Sequence, residues 1–276
     1  HDTVRRQRQM CIRDSYNAGV LVTTAVNNTL IGALAGDALT TGNENVAVGF
    51  EALSTEDGHG GNVALGSAAL KTQNAGTTAF NTGLGYNAGL SVTTGSQNTL
   101  VGGLAGDALT TGGQNVAVGY DALGAETTSA NNVAIGREAL KTQNGATNNV
   151  AVGRVAGAAV TTGSRNVLLG AEAADFLTTG NDNVVVGYSA AAHSTQVTTG
   201  IQNTVIGSFA DLSAVDTDNA NVLGHDVQGT ENFTTLGVGS SDIRAQNGVA
   251  SWNTVSDERY KKDIVDSTLG LSLIHI

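Results

Sequence analysis

Along this chain an asparagine is followed, at a fixed interval, by a short apolar run, a glycine and an alanine. Asn45-Val46-Ala47-Val48-Gly49-Phe50-Glu51-Ala52-Leu53 is the clearest instance, and it returns as Asn115-Val116-Ala117-Val118-Gly119-Tyr120-Asp121-Ala122-Leu123. Counted from the asparagine, units begin at residues 28, 45, 62, 81, 98, 115, 132, 149, 166, 183 and 203, and a degenerate twelfth is expected from Asn221. The step is 17 residues in eight of ten cases, with 19 between Asn62 and Asn81 and 20 between Asn183 and Asn203. A four-unit block is duplicated on top of this period: NTLIGALAGDALTTGNENVAVGFEAL from Asn28 recurs as NTLVGGLAGDALTTGGQNVAVGYDAL from Asn98.

The second position of each unit is Val or Thr and the fourth is Val, Ile or Leu, so both lie on one face of a strand, where side chains alternate with period two. The fifth is Gly in all eleven units, which predicts a positive φ or a close backbone approach at a corner. The eighth is always Ala, predicting a second short strand packed where nothing larger fits. A turn follows, often Thr-Thr-Gly as at Thr40-Thr41-Gly42 and Thr110-Thr111-Gly112. Helix is excluded because no apolar residues recur at three and four and glycine is dense throughout.

A 17-residue unit cannot bury its own apolar face, so neighbouring units must stack. The expected fold is all-β, a parallel β-solenoid (β-roll) of about eleven rungs. Its asparagines are free to form a hydrogen-bonded ladder along the axis. At ~4.8 Å per rung the rod would be on the order of 50 Å long. The third strand position is also uncharged throughout (Leu30, Ala47, Leu100, Ala117), and strands apolar on both faces are buried on both. A thin solenoid covers only one face, so the other is expected to pack against a further copy of the chain. A monomer with an Ala-rich, weakly apolar outside is the alternative.

Composition narrows the function classes. The 276 residues include 37 Gly, no Pro, few aromatics and few charges, a profile of repetitive β structure built on tight turns. Residues 16–255 carry six basic side chains (Lys71, Arg137, Lys141, Arg154, Arg165, Arg244) against eighteen acidic ones. Such a surface repels phosphate backbones and anionic membranes, so no nucleic-acid partner is expected. No apolar run is long enough to span a bilayer and no signal peptide is visible, so no membrane insertion is expected. Both ends look foreign. Residues 5–15 (RRQRQMCIRDS) resemble a translated transposase adapter of short-read libraries, and the terminal LSLIHI resembles its reverse complement. Residues 1–15 and 271–276 are therefore expected to be adapter, which removes the single cysteine, Cys11.

The repeat over residues 28–224 resembles the left-handed β-roll head repeats of trimeric autotransporter adhesins, and more closely the repeats of phage and prophage tail fibres. That resemblance implies a parallel homotrimer for the stretch 16–224. Residues 225–255 break the period and are expected to form a short β cap, with Phe233 and Trp252 as anchors. Ser256-Asp257-Glu258-Arg259-Tyr260-Lys261-Lys262-Asp263-Ile264 then matches S-D-x-R-x-K-x-x-I, the opening signature of the peptidase S74 intramolecular chaperone domain. Residues 256–270 resemble its start and first helix. The resemblance implies that Ser256 and Lys261 form a Ser-Lys dyad and that the chain cuts itself between Ser256 and Asp257 after trimer assembly. A serine hydroxyl needs an adjacent base to act as nucleophile, and a lysine serves once burial leaves it neutral. The bland reading of the same residues is a helix N-terminus, with Ser256 as cap and Asp257 and Glu258 in the first turn. This stretch by itself is expected to be inactive, because the groups that would bury Lys261 lie further along the chaperone domain.

Other residues carry less. His59, His193 and His225 stand alone in turns, away from metal-ligand spacing, and are expected to be surface residues; no metal or cofactor is expected. Asp37 and Asp107 occupy equivalent places in the duplicated block and read as repeat inheritance. Gly102-Gly103-Leu104-Ala105-Gly106 lacks the helix a phosphate loop requires. The leading functional expectation is a host-attachment tail fibre on a virion, outside the cell, binding a cell-surface receptor. The alternatives are a bacterial trimeric surface adhesin and, further off, an ice-binding solenoid.

Overall fold

A computed structural model describes residues 12–249 and 252–254. Twelve three-residue strands come first: β1 (Ile12–Asp14), β2 (Thr29–Ile31), β3 (Val46–Val48), β4 (Val63–Leu65), β5 (Thr82–Leu84) and β6 (Thr99–Val101). They continue as β7 (Val116–Val118), β8 (Val133–Ile135), β9 (Val150–Val152), β10 (Val167–Leu169), β11 (Val184–Val186) and β12 (Thr204–Ile206). Each pairs in parallel with the next in exact repeat register, as in Val46↔Val63 and Val116↔Val133. The chain is thus an all-β parallel β-solenoid, and no helix occurs among the described residues. β1 falls within the segment read as adapter. Its rung has Ser15, at φ 150, at the corner where the later rungs have glycine.

The strand interior is the third position of each unit. Leu30, Ala47, Ala64, Leu100, Ala117, Ala134, Ala151 and Leu168 have no exposed surface, and the eighth-position alanines join them in one core. The second and fourth positions, the more hydrophobic pair, point outward and are half-buried or exposed. The core also has a compensation of volume. In four rungs the third position is Ala (Ala47, Ala64, Ala117, Ala134) and the ninth is Leu (Leu53, Leu70, Leu123, Leu140); where the third is Leu30 or Leu100, the ninth is Gly36 or Gly106. A methyl group on Gly106 would lie 2.8 Å from Leu100 Cδ2. Other rungs have leucine at neither position: at Gly83 and Gly89, Leu70 and Leu100 from the adjacent rungs come within 2.8 Å of where a Cβ would sit, and at Gly157 the Leu168 side chain of the next rung comes within 2.5 Å.

From the unit at Asn28 to that at Asn183 the expected second strand around the eighth alanine is absent; a two-residue strand, Asp211–Leu212, forms only after Ala210. The seventh and ninth positions both take left-handed backbone angles, for example Glu51 (φ 54) with Leu53 (φ 52) and Asp121 (φ 56) with Leu123 (φ 56). Alternating positive φ turns successive N–H groups up and down the stack without an extended strand. Leu53 N accordingly donates to Ala69 O in the next rung, and Glu51 N to Ala33 O in the previous one. The corner glycines have a double reason: Gly119 sits at φ 139, and a Cβ there would lie 2.5 Å from Gly136 O.

The asparagine ladder forms, and its partners explain the residue type. From Asn28 to Asn203 every Oδ1 accepts the backbone N–H of the first residue in the next rung. Most Nδ2 groups donate to the carbonyl fourteen residues on, such as Asn115 to Ser129 O at 2.9 Å. A buried side chain that accepts on one side and donates on the other, at this length, has to be Asn. The twelfth rung begins at Ala220, one residue before the Asn221 expected: Ala220 N meets Asn203 Oδ1 at 2.9 Å, and Asn221 pairs with Thr204. The ladder ends there for want of an amide.

β13 (Asp211–Leu212), just before that end, and β15 (Gln228–Gly229), beyond it, form a small parallel pair. β14 (Asn221–His225) and β16 (Phe233–Val238) extend the main sheet in parallel. β17 (Ser241–Gln246) and β18 (Trp252–Thr254) then add antiparallel strands, the β cap expected at this end.

Candidate functional site

Ser256 and Lys261, the residues singled out for self-cleavage, lie outside the described residues, as does the bond between Ser256 and Asp257. The features with chemical character in the described part are an outward sheet face, three desolvated aspartates, an aromatic–histidine group and a carboxylate–imidazole turn.

The sheet face follows from period-two alternation. With the third position inward, Val63, Leu65, Leu84, Ile135, Val152, Ile206 and Leu223 align on the outside, each more than a third exposed. Directly after the corner glycines stand Phe50, Tyr86, Tyr120 and Tyr188, about half exposed, which widen the strip. The second and fourth positions were correctly grouped on one face; that this face is the solvent side depends on which way the chain closes.

Cation chemistry is used up along the rod. Lys71 pairs with Glu51 (2.7 Å), Arg137 with Glu138 (3.0 Å), Lys141 with Asp121 (2.9 Å) and Arg165 with Asp182 (2.6 Å). Arg154 pairs with Glu172 and Arg244 with Asp242. The Asp182 partner holds the Arg165 guanidinium up, and Arg165 holds the Asp182 carboxyl down. With these six cations paired, Glu44, Asp57, Asp216, Asp226 and Glu231 remain exposed without one of them, while Glu56 and Glu126 are buried. Among the described residues no helix is long and apolar enough to cross a membrane.

Asp37, Asp107 and Asp175 share the tenth position of their rungs. Burial pushes each carboxyl up, with Glu51, Asp121 and Glu172 respectively adding repulsion, while the N–H groups of their own turns pull back. For Asp175 the result is a rise from 3.8 to about 6, and its Oδ1 is buried without a partner. Repeat inheritance accounts for Asp37 and Asp107 lying alike; Asp175 joins them from outside the duplicated block.

The histidines are less isolated than their spacing implied. His193 and His225 approach the Phe209 ring at centroid distances of 4.5 and 6.0 Å, and Tyr188 meets it edge-on at 5.2 Å. His59 Nδ1 lies 3.2 Å from Glu56 Oε1. Glu56 itself escaped the reading of the sequence, and so did Gln73, Glu126 and Gln143, all with no exposed surface. The signal was present at the twelfth position: Leu39, Val92, Leu109, Val160 and Leu177 fill that column elsewhere, so a glutamate there had to be a buried one.

The Thr hydroxyls are also engaged. Thr23, Thr40, Thr110 and Thr178 each donate a side-chain hydrogen bond to the carbonyl one rung on. A stacked array of free hydroxyls, the feature that ice binding would need, is correspondingly depleted.

Comparison with known proteins returns no match to a family model, a curated protein or a solved structure.

Proposed function

We propose that the chain is the shaft of a homotrimeric host-attachment fibre, carried on a virion outside the cell, with a self-cleaving chaperone at its C-terminal side. The observation that carries the reading is the outward apolar sheet face of a rigid rod. A strip three residues wide, ~10 Å, along the twelve rungs β2–β12 and β14, ~60 Å, amounts to roughly 600 Å². That is at the upper limit of apolar patches on soluble monomers and close to the ~800 Å² per partner of a standard interface. The aromatic residues beside the corners supply much of the remainder. Parallel copies related by a threefold axis would put like rungs at one level, so the same strip serves every protomer.

The fibre and self-cleavage parts of the reading rest on the motif Ser256 to Ile264 and on the repeat resemblance. Ser256 would be the nucleophile and Lys261 its base, cutting before Asp257. A host-surface glycan or protein would be the receptor. A bacterial trimeric surface adhesin is the second reading; the same rod and strip support it, and a membrane anchor in the flanking gene would favour it.

Sedimentation equilibrium of the full chain tests the assembly: threefold the chain mass is expected, and a monomer at micromolar concentration overturns it. Extending the gene to its natural stop tests the chemistry. Wild type should run as two fragments on a denaturing gel and Ser256→Ala as one; an intact wild-type chain removes the autoprotease assignment.

A further inference from the structure

The duplicated block places a glutamate twice in the same buried column, at Glu56 and Glu126, and the two are solvated differently by the protein. Glu126 Oε1 accepts the N–H groups of Thr127, Thr128 and Ser129 at 2.9, 3.1 and 2.8 Å, and its Oε2 accepts Gln143 Nε2 at 3.2 Å. Both oxygens are occupied. At Glu56 the following residues are Asp57, Gly58 and His59 in place of Thr127, Thr128 and Ser129. Glu56 Oε1 accepts His59 N at 3.0 Å and faces His59 Nδ1 at 3.2 Å, while Oε2 is buried with no partner. A fully buried carboxylate with one bare oxygen is expensive to keep without a cation beside it.

We infer that Glu56, Asp57 and His59 form a binding site for a divalent transition-metal ion of the zinc class. One donor atom from each residue lies within 4.8 Å of the others. Two ligands each ~2.0–2.1 Å from a tetrahedral zinc are about 3.3 Å apart, so the 3.2 Å between His59 Nδ1 and Glu56 Oε1 already fits a shared ion. Binding would put the ion in place of the hydrogen bond between that pair. One nitrogen and two carboxylates favour zinc, cobalt or nickel over calcium or magnesium, which need six or more oxygens.

Access and an open coordination position are also present. The His59 ring is 28% exposed and lines a cleft of about 260 Å³ with Asn43, Glu44, Gly58 and Thr78. Water can reach an ion from that side. The ion would tie a turn to the core column of its rung, a staple midway through the first block that the second block replaces with peptide hydrogen bonds. This departs from the expectation that His59 is an idle surface residue, and it stands apart from the fibre reading.

The test uses the full chain stripped of metal. Zinc is titrated calorimetrically and cobalt by its visible absorption, with the melting temperature followed in parallel. One ion per chain, a Kd of about 1 µM or tighter, a raised melting temperature and a tetrahedral cobalt spectrum are expected. His59→Ser installs the residue that Ser129 supplies in the second block, so its metal-free melting temperature should match wild type while zinc affinity falls at least about a hundredfold. Glu56→Gln, a residue this column already accommodates at Gln73 and Gln143, should weaken zinc at least about tenfold. No zinc binding by wild type, or equal binding by His59→Ser, overturns the site; the latter would place the ion on other histidines.

Discussion

At the scale of single residues, this chain is governed by what a buried polar atom requires. Asn115 links three rungs: its Oδ1 accepts Asn132 N at 3.0 Å, and its Nδ2 donates to Ser129 O at 2.9 Å and Asn98 Oδ1 at 3.2 Å. Asn115→Ala leaves Asn132 N and Ser129 O without these partners, and each stranded group costs ~1–3 kcal/mol. A loss of roughly 2–5 kcal/mol in urea unfolding is expected; an unchanged midpoint would mean that water replaces the amide. Asp175 works in the other direction. Its carboxyl is raised from 3.8 to about 6 mainly by burial, then by Glu172, with Arg154 partly offsetting. The folded form therefore binds the proton more tightly than the unfolded chain, so ionisation above pH ~6 destabilises the fold and the penalty disappears below pH ~4. Asp175→Asn should raise stability at pH 8 by about 1–2 kcal/mol, less than the full shift implies because solvent screens the group, and should change nothing at pH 3.5. Unfolding of both forms across this range checks it; a benefit that persists at pH 3.5 would point to packing instead.

At the scale of the rung, backbone geometry and side-chain volume are coupled. The corner at Gly119 excludes a side chain twice, by φ 139 and by Gly136 O. Gly119→Ala is expected to cost about 2–4 kcal/mol and to raise amide exchange at Gly136 and Arg137 first, because that is where the rungs must separate. In the duplicated rungs the filling leucine comes from the third position, as at Leu30 and Leu100, or from the ninth, as at Leu53 and Leu123. Leu100→Ala alone should destabilise by ~2–5 kcal/mol through a cavity, and Gly106→Leu alone by a comparable amount through the clash with Leu100. Together they convert this rung to the Ala47/Leu53 arrangement, where Leu53 tolerates φ 52 in the place where Gly106 has φ 55. The double variant should recover most of the loss, a coupling of about 2 kcal/mol or more; simple additivity would show the two positions do not share one volume. This pairing was visible in the sequence as an alternation of Leu and Gly or Ala six residues apart, but only the closure of the turn gives the two positions a common space.

At the scale of the molecule, the proposed trimer rests on the outward strip. Leu65 and Ile206 lie far apart on it, at 40% and 37% exposure, and neither contributes to the core. Leu65→Glu with Ile206→Glu is expected to leave the circular dichroism of the solenoid intact and to give monomers in sedimentation where the proposed trimer would form with wild type. Retention of the oligomer would place the contact on another face. The ion pairs along the rod are mostly part-exposed and contribute little to stability, so raising salt should change melting only slightly.

The repeat length, the glycine corner, the asparagine ladder and the parallel stack were all legible in the sequence, because each is a local demand repeated every 17 residues. A residue type kept in register through eleven units reports on its own rung and the next, and nothing distant is needed to read it. What the sequence left open were the features that depend on closing the turn. The tertiary structure decided that the bulkier strand face is the outer one, that the eighth alanine sits between left-handed residues and not in a strand, and that the last rung starts at Ala220. It also brought His59 onto the buried Glu56, and His193 and His225 onto Phe209. The physical reason is common to all of these. A hydropathy pattern specifies which side chains share a face, while the sense in which the backbone curls around them, set by its φ angles, decides which face becomes the inside.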